Sequence, residues 1–236
     1  MTAWYLLVAS LVAGLLPGFA WLAFYLNEDD HAEPKRLIAF TFIAGMAFGF
    51  FTIAPENALT GALAGWRIGA LSVVSLIGLA LIEEVMKFAA AHFAASKSPA
   101  FEHPIDAMIY MIVAALGFAT LENIGALSGI APNALFVPAF FETLSFRFVG
   151  ATLLHSLASA IVGYYWAFGA VRGKPGRFIA FGLGLAAVLH AAFNYLILTY
   201  GNGMYSLVFV VIVGFFVLND FEKVKAFPQQ ELPKTS

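Results

Sequence analysis

Glu83, Glu84 and Lys87 stand in the run LIEEVMKFAA, inside a stretch otherwise apolar enough to cross a bilayer. Three further apolar stretches carry polar side chains in the same way. MIVAALGFATLENIGAL holds Glu122 and Asn123, RFVGATLLHSLASAIVG holds His155, Ser156 and Ser159, and LAAVLHAAFNYLIL holds His190 and Asn194. A charge at the bilayer centre costs about 2.5–3.5 kcal/mol, so three lipid-facing glutamates would cost on the order of 10 kcal/mol, comparable to the whole stability of a domain. They must face each other, or water, inside a bundle. Glu83 and Lys87 are four apart with the acid first, the favoured order for a helical ion pair; Glu84 and Lys87 are three apart, also within reach. Adjacent residues diverge by about 100°. One glutamate therefore pairs with Lys87 while the other faces the cavity, and spacing alone favours Glu83 as the paired one. His190 with Asn194, His155 with Ser159, and Phe118 with Glu122 each share a face, so four helices each present one polar stripe.

Carboxylates and imidazoles in a chain without cysteine suit few tasks. They can activate a water, as a general base or through a divalent metal. They can relay protons or bind ions, as in a transporter, or survive in a scaffold that does no chemistry. HExxH is absent, which excludes a zincin; a zinc site with two histidines and a glutamate requires ligands from different helices. No serine has a convincing intramembrane histidine or lysine partner on its own helix to make it a nucleophile. A lone intramembrane Asn or Ser usually links helices for about 0.6 kcal/mol, which is the bland reading of Ser156, Ser159 and Asn123. It does not cover three carboxylates and two histidines.

These groups need helices to position them. The chain has 236 residues, 61% hydrophobic and only 11% charged, against roughly 25% charged in a soluble domain. Mean hydropathy is +0.88. Long continuous apolar runs without period-2 alternation predict an all-α, polytopic transmembrane bundle rather than a barrel. It is read as one domain over 1–236 with about seven spans, at 3–26, 37–55, 68–95, 105–127, 146–170, 177–200 and 204–219, and a tail at 220–236. The first span lacks a positively charged start and is too long for a signal-peptide core, so it is expected to be retained. Lys35, Arg36, Lys97, Arg172, Lys174, Arg177, Lys223, Lys225 and Lys234 fall on one side, and only Arg67 and Arg147 on the other. The positive-inside rule then sets the N-terminus outside and the C-terminus in the cytoplasm. A net charge of −2 gives no sign of nucleic-acid binding, and nothing sets an oligomeric state.

Gly14–Gly18, Gly45–Gly49 and Gly61–Gly65 have the spacing that lets helices approach closely. NEDDH reads as a solvated loop, Asp106 as an acid favoured at a helix N-terminus, and His92 and His103 as incidental. The apolar segment 128–145, with Pro132 and Pro138, opposes a long helix and is expected at the outer interface or re-entering the membrane. At 1.5 Å per residue, Glu122, His155 and His190 lie roughly 8–16 Å below the outer surface, and Glu83 roughly 22 Å. The site is thus expected to open outward beneath 128–145, which would gate substrate entry.

EEVMK (83–87), FATLEN (118–123), HSLASAIVG (155–163) and HAAFN (190–194) together resemble the PrsW family of intramembrane proteases, which carries EExxK, FxxxEN, an isolated helical His and HxxxN in this order. FEHPIDAMIY and the AEP at 32–34 add to the resemblance, which runs from about Glu33 to Asn194. Distant relatives, the type II CAAX prenyl endopeptidases and abortive-infection membrane proteins, have Arg one residue beyond Lys87 and His where Glu122 stands, so prenyl specificity does not carry over. The resemblance implies an endopeptidase in the cell membrane acting on a membrane-anchored protein, as in site-1 cleavage of an anti-sigma factor. It implies Glu83 as the water-activating base, Glu84 as its partner paired with Lys87, Glu122 as a second acid or metal ligand, and His155 and His190 as ligands or proton carriers. Asn194 would donate to the oxyanion, with Lys87, Phe118 and Asn123 in support. Zinc or another divalent metal would sit at Glu122, His155 and His190, or no metal if the mechanism is of the glutamate type.

Overall fold

The structure, a computed structural model, describes residues 3–27, 33–131, 133, 136–201 and 203–227. The acidic run at 28–31, Pro132 and the tail beyond 227 lie outside the described residues. The helices are α1 (Ala3–Leu26), α2 (Lys35–Gly65), α3 (Val73–Ala95), α4 (Pro104–Ser128), α5 (Phe136–Phe146), α6 (Thr152–Val171), α7 (Pro175–Tyr200) and α8 (Gly203–Lys225), with no strand among the described residues. A π turn, Arg147–Ala151, joins α5 to α6, so the chain runs on as one helix from Phe136 to Val171. Six helices are long and apolar enough to cross a membrane. α3, with 23 residues, is as long as α8 but carries Glu83, Glu84 and Lys87 at its middle.

α4 is the axis of the bundle. Of its most apolar stretch 94% is buried, against 28% for α1 and α8, and α1, α2 and α6 pack around it. Small residues allow this. A Cβ added at Gly45 would sit 2.0 Å from the Ala114 carbonyl oxygen, and one at Gly117 2.0 Å from that of Phe42, so α2 and α4 meet backbone to backbone only because both are glycine. Gly14 and Gly18 bring α1 against Ile124 and Thr120 in the same way. The pair Gly61–Gly65 does not act so, since both positions face open space. Large apolar side chains such as Phe50, Phe51, Phe215 and Phe216 point outward, the inverse of a water-soluble fold.

Three boundaries differ from the sequence expectation. α2 does not stop at 55 but continues through Pro55 to Gly65. Pro55 costs one backbone hydrogen bond, and apolar side chains on both flanks carry the helix past it. α3 starts at Val73, not 68, where Ser72 Oγ accepts from the Ser75 N–H at 3.1 Å. Glu83 is then about 15 Å from the start of its helix, level with the other groups. Segment 128–145 contains α5. Pro138 sits in its first turn, where a missing N–H costs nothing, and Phe136 and Phe140 pack with Ala13 and Leu127. At the other end of α4, Asp106 Oδ2 accepts from the backbone N–H groups of Glu102 (2.8 Å) and His103 (2.7 Å), as an acid in a first helical turn should.

Candidate active site

Four helices deliver their polar stripes to one place. From α3 come Glu83, Glu84 and Lys87, from α4 Glu122 and Asn123, from α6 His155 and Ser159, and from α7 His190. All but Glu122 are buried.

The two adjacent glutamates have opposite surroundings. Glu84 Oε1 accepts from Lys87 Nζ at 2.7 Å and pairs with His190 Nδ1 at 2.9 Å, while Ser159 Oγ donates to its Oε2 at 3.4 Å. Lys87 lies farther from Glu83, at 3.6 Å. The closer pairing is therefore the three-residue one with Glu84, against the expectation from spacing alone. Burial explains it: Glu84 is fully enclosed and needs every partner, whereas Glu83 points into the gap between the imidazoles. Glu83 Oε2 is buried and has no hydrogen-bond partner. Lys87 is completed by the ring of Phe118, whose centroid lies 4.9 Å from Nζ.

Each imidazole turns one nitrogen to a carboxylate and the other toward Glu83. His190 pairs through Nδ1 with Glu84, and its Nε2 lies 3.7 Å from Glu83 Oε2. His155 pairs through Nε2 with Glu122 Oε2 at 2.9 Å, and its Nδ1 lies 3.9 Å from Glu83 Oε2 and 2.6 Å from Lys87 Nζ. An ionised carboxylate only accepts, so the paired nitrogens carry the hydrogens and the inward ones keep their lone pairs. The two rings meet edge to face at 4.9 Å.

This is the layout of histidines prepared for a cation, each backed by a carboxylate that fixes its tautomer. Glu83, His155 and His190 each offer one ligand atom, all within 4.8 Å of one another. Two imidazole nitrogens and a carboxylate oxygen match a catalytic zinc donor set, and the unpartnered Glu83 oxygen is the acceptor such an ion would satisfy. Of the set expected from sequence, His155 and His190 are in this group. Glu122 is not: it is turned to His155 from behind and to Arg147 Nη2 at 2.9 Å. Asn194, one turn beyond His190, is half-buried and stands outside the network.

Two residues escaped the sequence reading. Arg147 served there only as a topology marker. Its Nη2 holds Glu122 and its Nε donates to Asn123 Oδ1, while Asn123 Nδ2 donates to Thr152 Oγ1 at 3.0 Å and Gly14 O at 3.4 Å. Asn123 thus links α1, α4 and α6. The available signal was a lone arginine between Phe146 and Phe148 in a chain poor in charge. Glu56, which falls between the spans expected at 37–55 and 68–95, lies within α2. The site opens on the Glu122 side, whose side chain is 33% exposed against 11% for Glu83 and none for Glu84.

A model of the PrsW family intramembrane metalloproteases matches residues 33–218. The Protease PrsW of Geobacillus kaustophilus is 28% identical over 225 residues, 93% of this chain and 93% of its own. That of Bacillus subtilis is 26% identical over 223 residues, 92% of this chain and 96% of its own. No solved structure matches the chain.

Proposed function

The chain belongs to the PrsW family of intramembrane metalloproteases and is a membrane peptide hydrolase, and from its buried site we propose how it cuts and what it cuts. The substrate is a membrane-anchored protein of the anti-sigma-factor kind, cleaved once in a site-1 step within the cell membrane. The chain acts as one domain, with the N-terminus outside and the C-terminus in the cytoplasm. The lysine and arginine asymmetry supports that orientation, and labelling of single cysteines placed at 67 and 226 tests it; labelling of 67 and protection of 226 from an external reagent are required.

The observation that carries the mechanism is the contrast on α3. Glu84 is saturated by Lys87, His190 and Ser159, while Glu83 Oε2 is buried without a donor between two imidazoles. A divalent ion, best zinc for this donor set, would be held by Glu83, His155 and His190, and when bound it supplies a water that ionises near neutral pH and polarisation of the scissile carbonyl. The residues do the rest. Glu84 and Glu122 fix the tautomers of His190 and His155, so each inward nitrogen keeps a lone pair, that of His155 accepting from Lys87 Nζ at 2.6 Å. Lys87 and Arg147 keep those two carboxylates ionised. Glu83 takes the proton of the attacking water on Oε1, the oxygen not offered to the ion, and returns it to the leaving nitrogen, so no net proton is lost. Asn194, whose amide is uncommitted, donates to the oxyanion. α5 admits the substrate: Val137 and Phe141 are exposed beside the turn that holds Arg147. Tethering α5 to α4 through cysteines at 127 and 136 should slow cleavage, and an unchanged rate would discard the gate.

The test is purified protein in bilayers with a single-span substrate, comparing wild type with Glu83→Gln and adding metal analysis of the same sample. Loss of cleavage in the variant with intact folding supports the assignment. Near-wild-type cleavage by Glu83→Gln sinks it.

A further inference from the structure

We infer that Glu56 is a specificity residue at the mouth of the site and selects substrates with a lysine or arginine close to the scissile bond. The inference rests on the protease reading above and names the substrate class for it. Glu56 lies on the inward face of α2, one turn beyond the buried Thr52, and is half-buried. Contacts on both sides bracket it. A Cβ at Gly49 would lie 3.3 Å from the Phe118 ring and 3.2 Å from Leu121 of α4, and Leu59 reaches within 2.9 Å of the corresponding point at Gly78 of α3. Glu56 therefore stands in the wedge between α3 and α4, where its charge acts on Glu122, Lys87 and His190.

Its carboxylate has no ion pair and no hydrogen bond among the described residues. Inside a membrane-spanning segment an unpaired acid is expensive and marks a functional site. The two cations of the site cannot serve it. Lys87 is committed to Glu84 and Arg147 to Glu122. The mouth opens on this same side, where Glu122 is the most exposed of the three carboxylates already described. Glu83 Oε2 is buried and unpartnered. A peptide segment admitted by α5 and laid along this wedge would pass Glu56 as its carbonyl reaches Glu83. A cationic side chain supplies what this wedge lacks; an acidic one would meet uncompensated negative charge and be rejected.

The experiment uses the whole chain in bilayers and three matched single-span substrates. These carry Lys, Gln or Glu at each position within about four residues of the cut. Wild type should favour the best Lys substrate over its Gln counterpart on the order of tenfold in kcat/KM, mainly through KM. In Glu56→Gln that ratio should fall to near one. In Glu56→Lys the preference should reverse toward the Glu substrate, a rescue that a purely structural role for Glu56 would not give. Equal ratios in wild type and Glu56→Gln overturn the inference, as does a Glu56→Gln variant that loses bound metal in step with activity on all three substrates. A wild type that cleaves none of them overturns the protease reading itself.

Discussion

The two ends of α4 solve the same problem in different ways. At its start, Asp106 is buried and its Oδ2 is met locally, by the backbone N–H groups of Glu102 and His103. Every residue from Pro104 to Thr120 is buried, and the neighbours are held by backbone contacts across Gly45, Gly117 and Gly163. At the other end, Glu122 is met only by side chains from far along the chain, Arg147 and His155, and stays partly open. A carboxylate oxygen met by its own helix terminus is placed as soon as that terminus forms. One satisfied by two other helices is correct only when the bundle is complete, and it can be exchanged for another partner when something enters. The first arrangement suits a scaffold and the second suits a reaction.

That contrast predicts where substitutions register. Glu83→Gln has the largest expected effect. Cleavage should fall about 10²- to 10⁴-fold, the range for a positioned general base. Thermal unfolding should be unchanged or move upward, because a buried charge without a hydrogen-bond donor is removed. A variant that unfolds early would place Glu83 with the scaffold instead. Lys87→Met comes next and should appear chiefly as lost stability. Removing one partner of a buried pair costs about 3–5 kcal/mol, here because Glu84 loses its closest cation. Equilibrium unfolding in mild detergent measures it. A loss below about 1 kcal/mol would mean that the pair is solvated and that the wet end is wetter than its burial implies.

Most of this site was legible before any fold was known. Glu83, Glu84, Lys87, Glu122, His155 and His190 stand out because an ionisable group in an apolar run has no cheap explanation. The helices were legible for the same reason, as was Asp106 at its helix start. What could not be read were contacts between helices. Whether Lys87 serves Glu83 or Glu84 depends on what α7 offers Glu84, and no spacing along α3 contains that. Arg147 reads from sequence only as a charge on the outer side, because the π turn that carries it into the bundle leaves no mark in the sequence. Glu56 falls between the second and third spans in the sequence, whereas α2 continues through Pro55 to Gly65. Gly61–Gly65 had the right spacing with nothing opposite it, since a packing motif says a helix can approach and not that one does.

Two smaller effects sharpen the difference between the ends. Arg147→Lys keeps the charge near Glu122 but loses the fork that spans Glu122 and Asn123. Groups that orient histidines from behind typically contribute 10- to 100-fold, so kcat should fall by about tenfold with little change in KM and under about 1 kcal/mol in stability. An effect on KM alone would make Arg147 a substrate contact rather than a brace. Asp106→Ala should do the reverse. Two backbone donors at the start of α4 lose their acceptor, worth about 1 kcal/mol for a helix-start group, and the midpoint of unfolding should drop accordingly. Cleavage per folded molecule should stay at the wild-type rate, because nothing at that end reaches the imidazoles. If kcat falls with it, the two ends are coupled through α4, and the packed half of the helix helps to set the geometry of the open half.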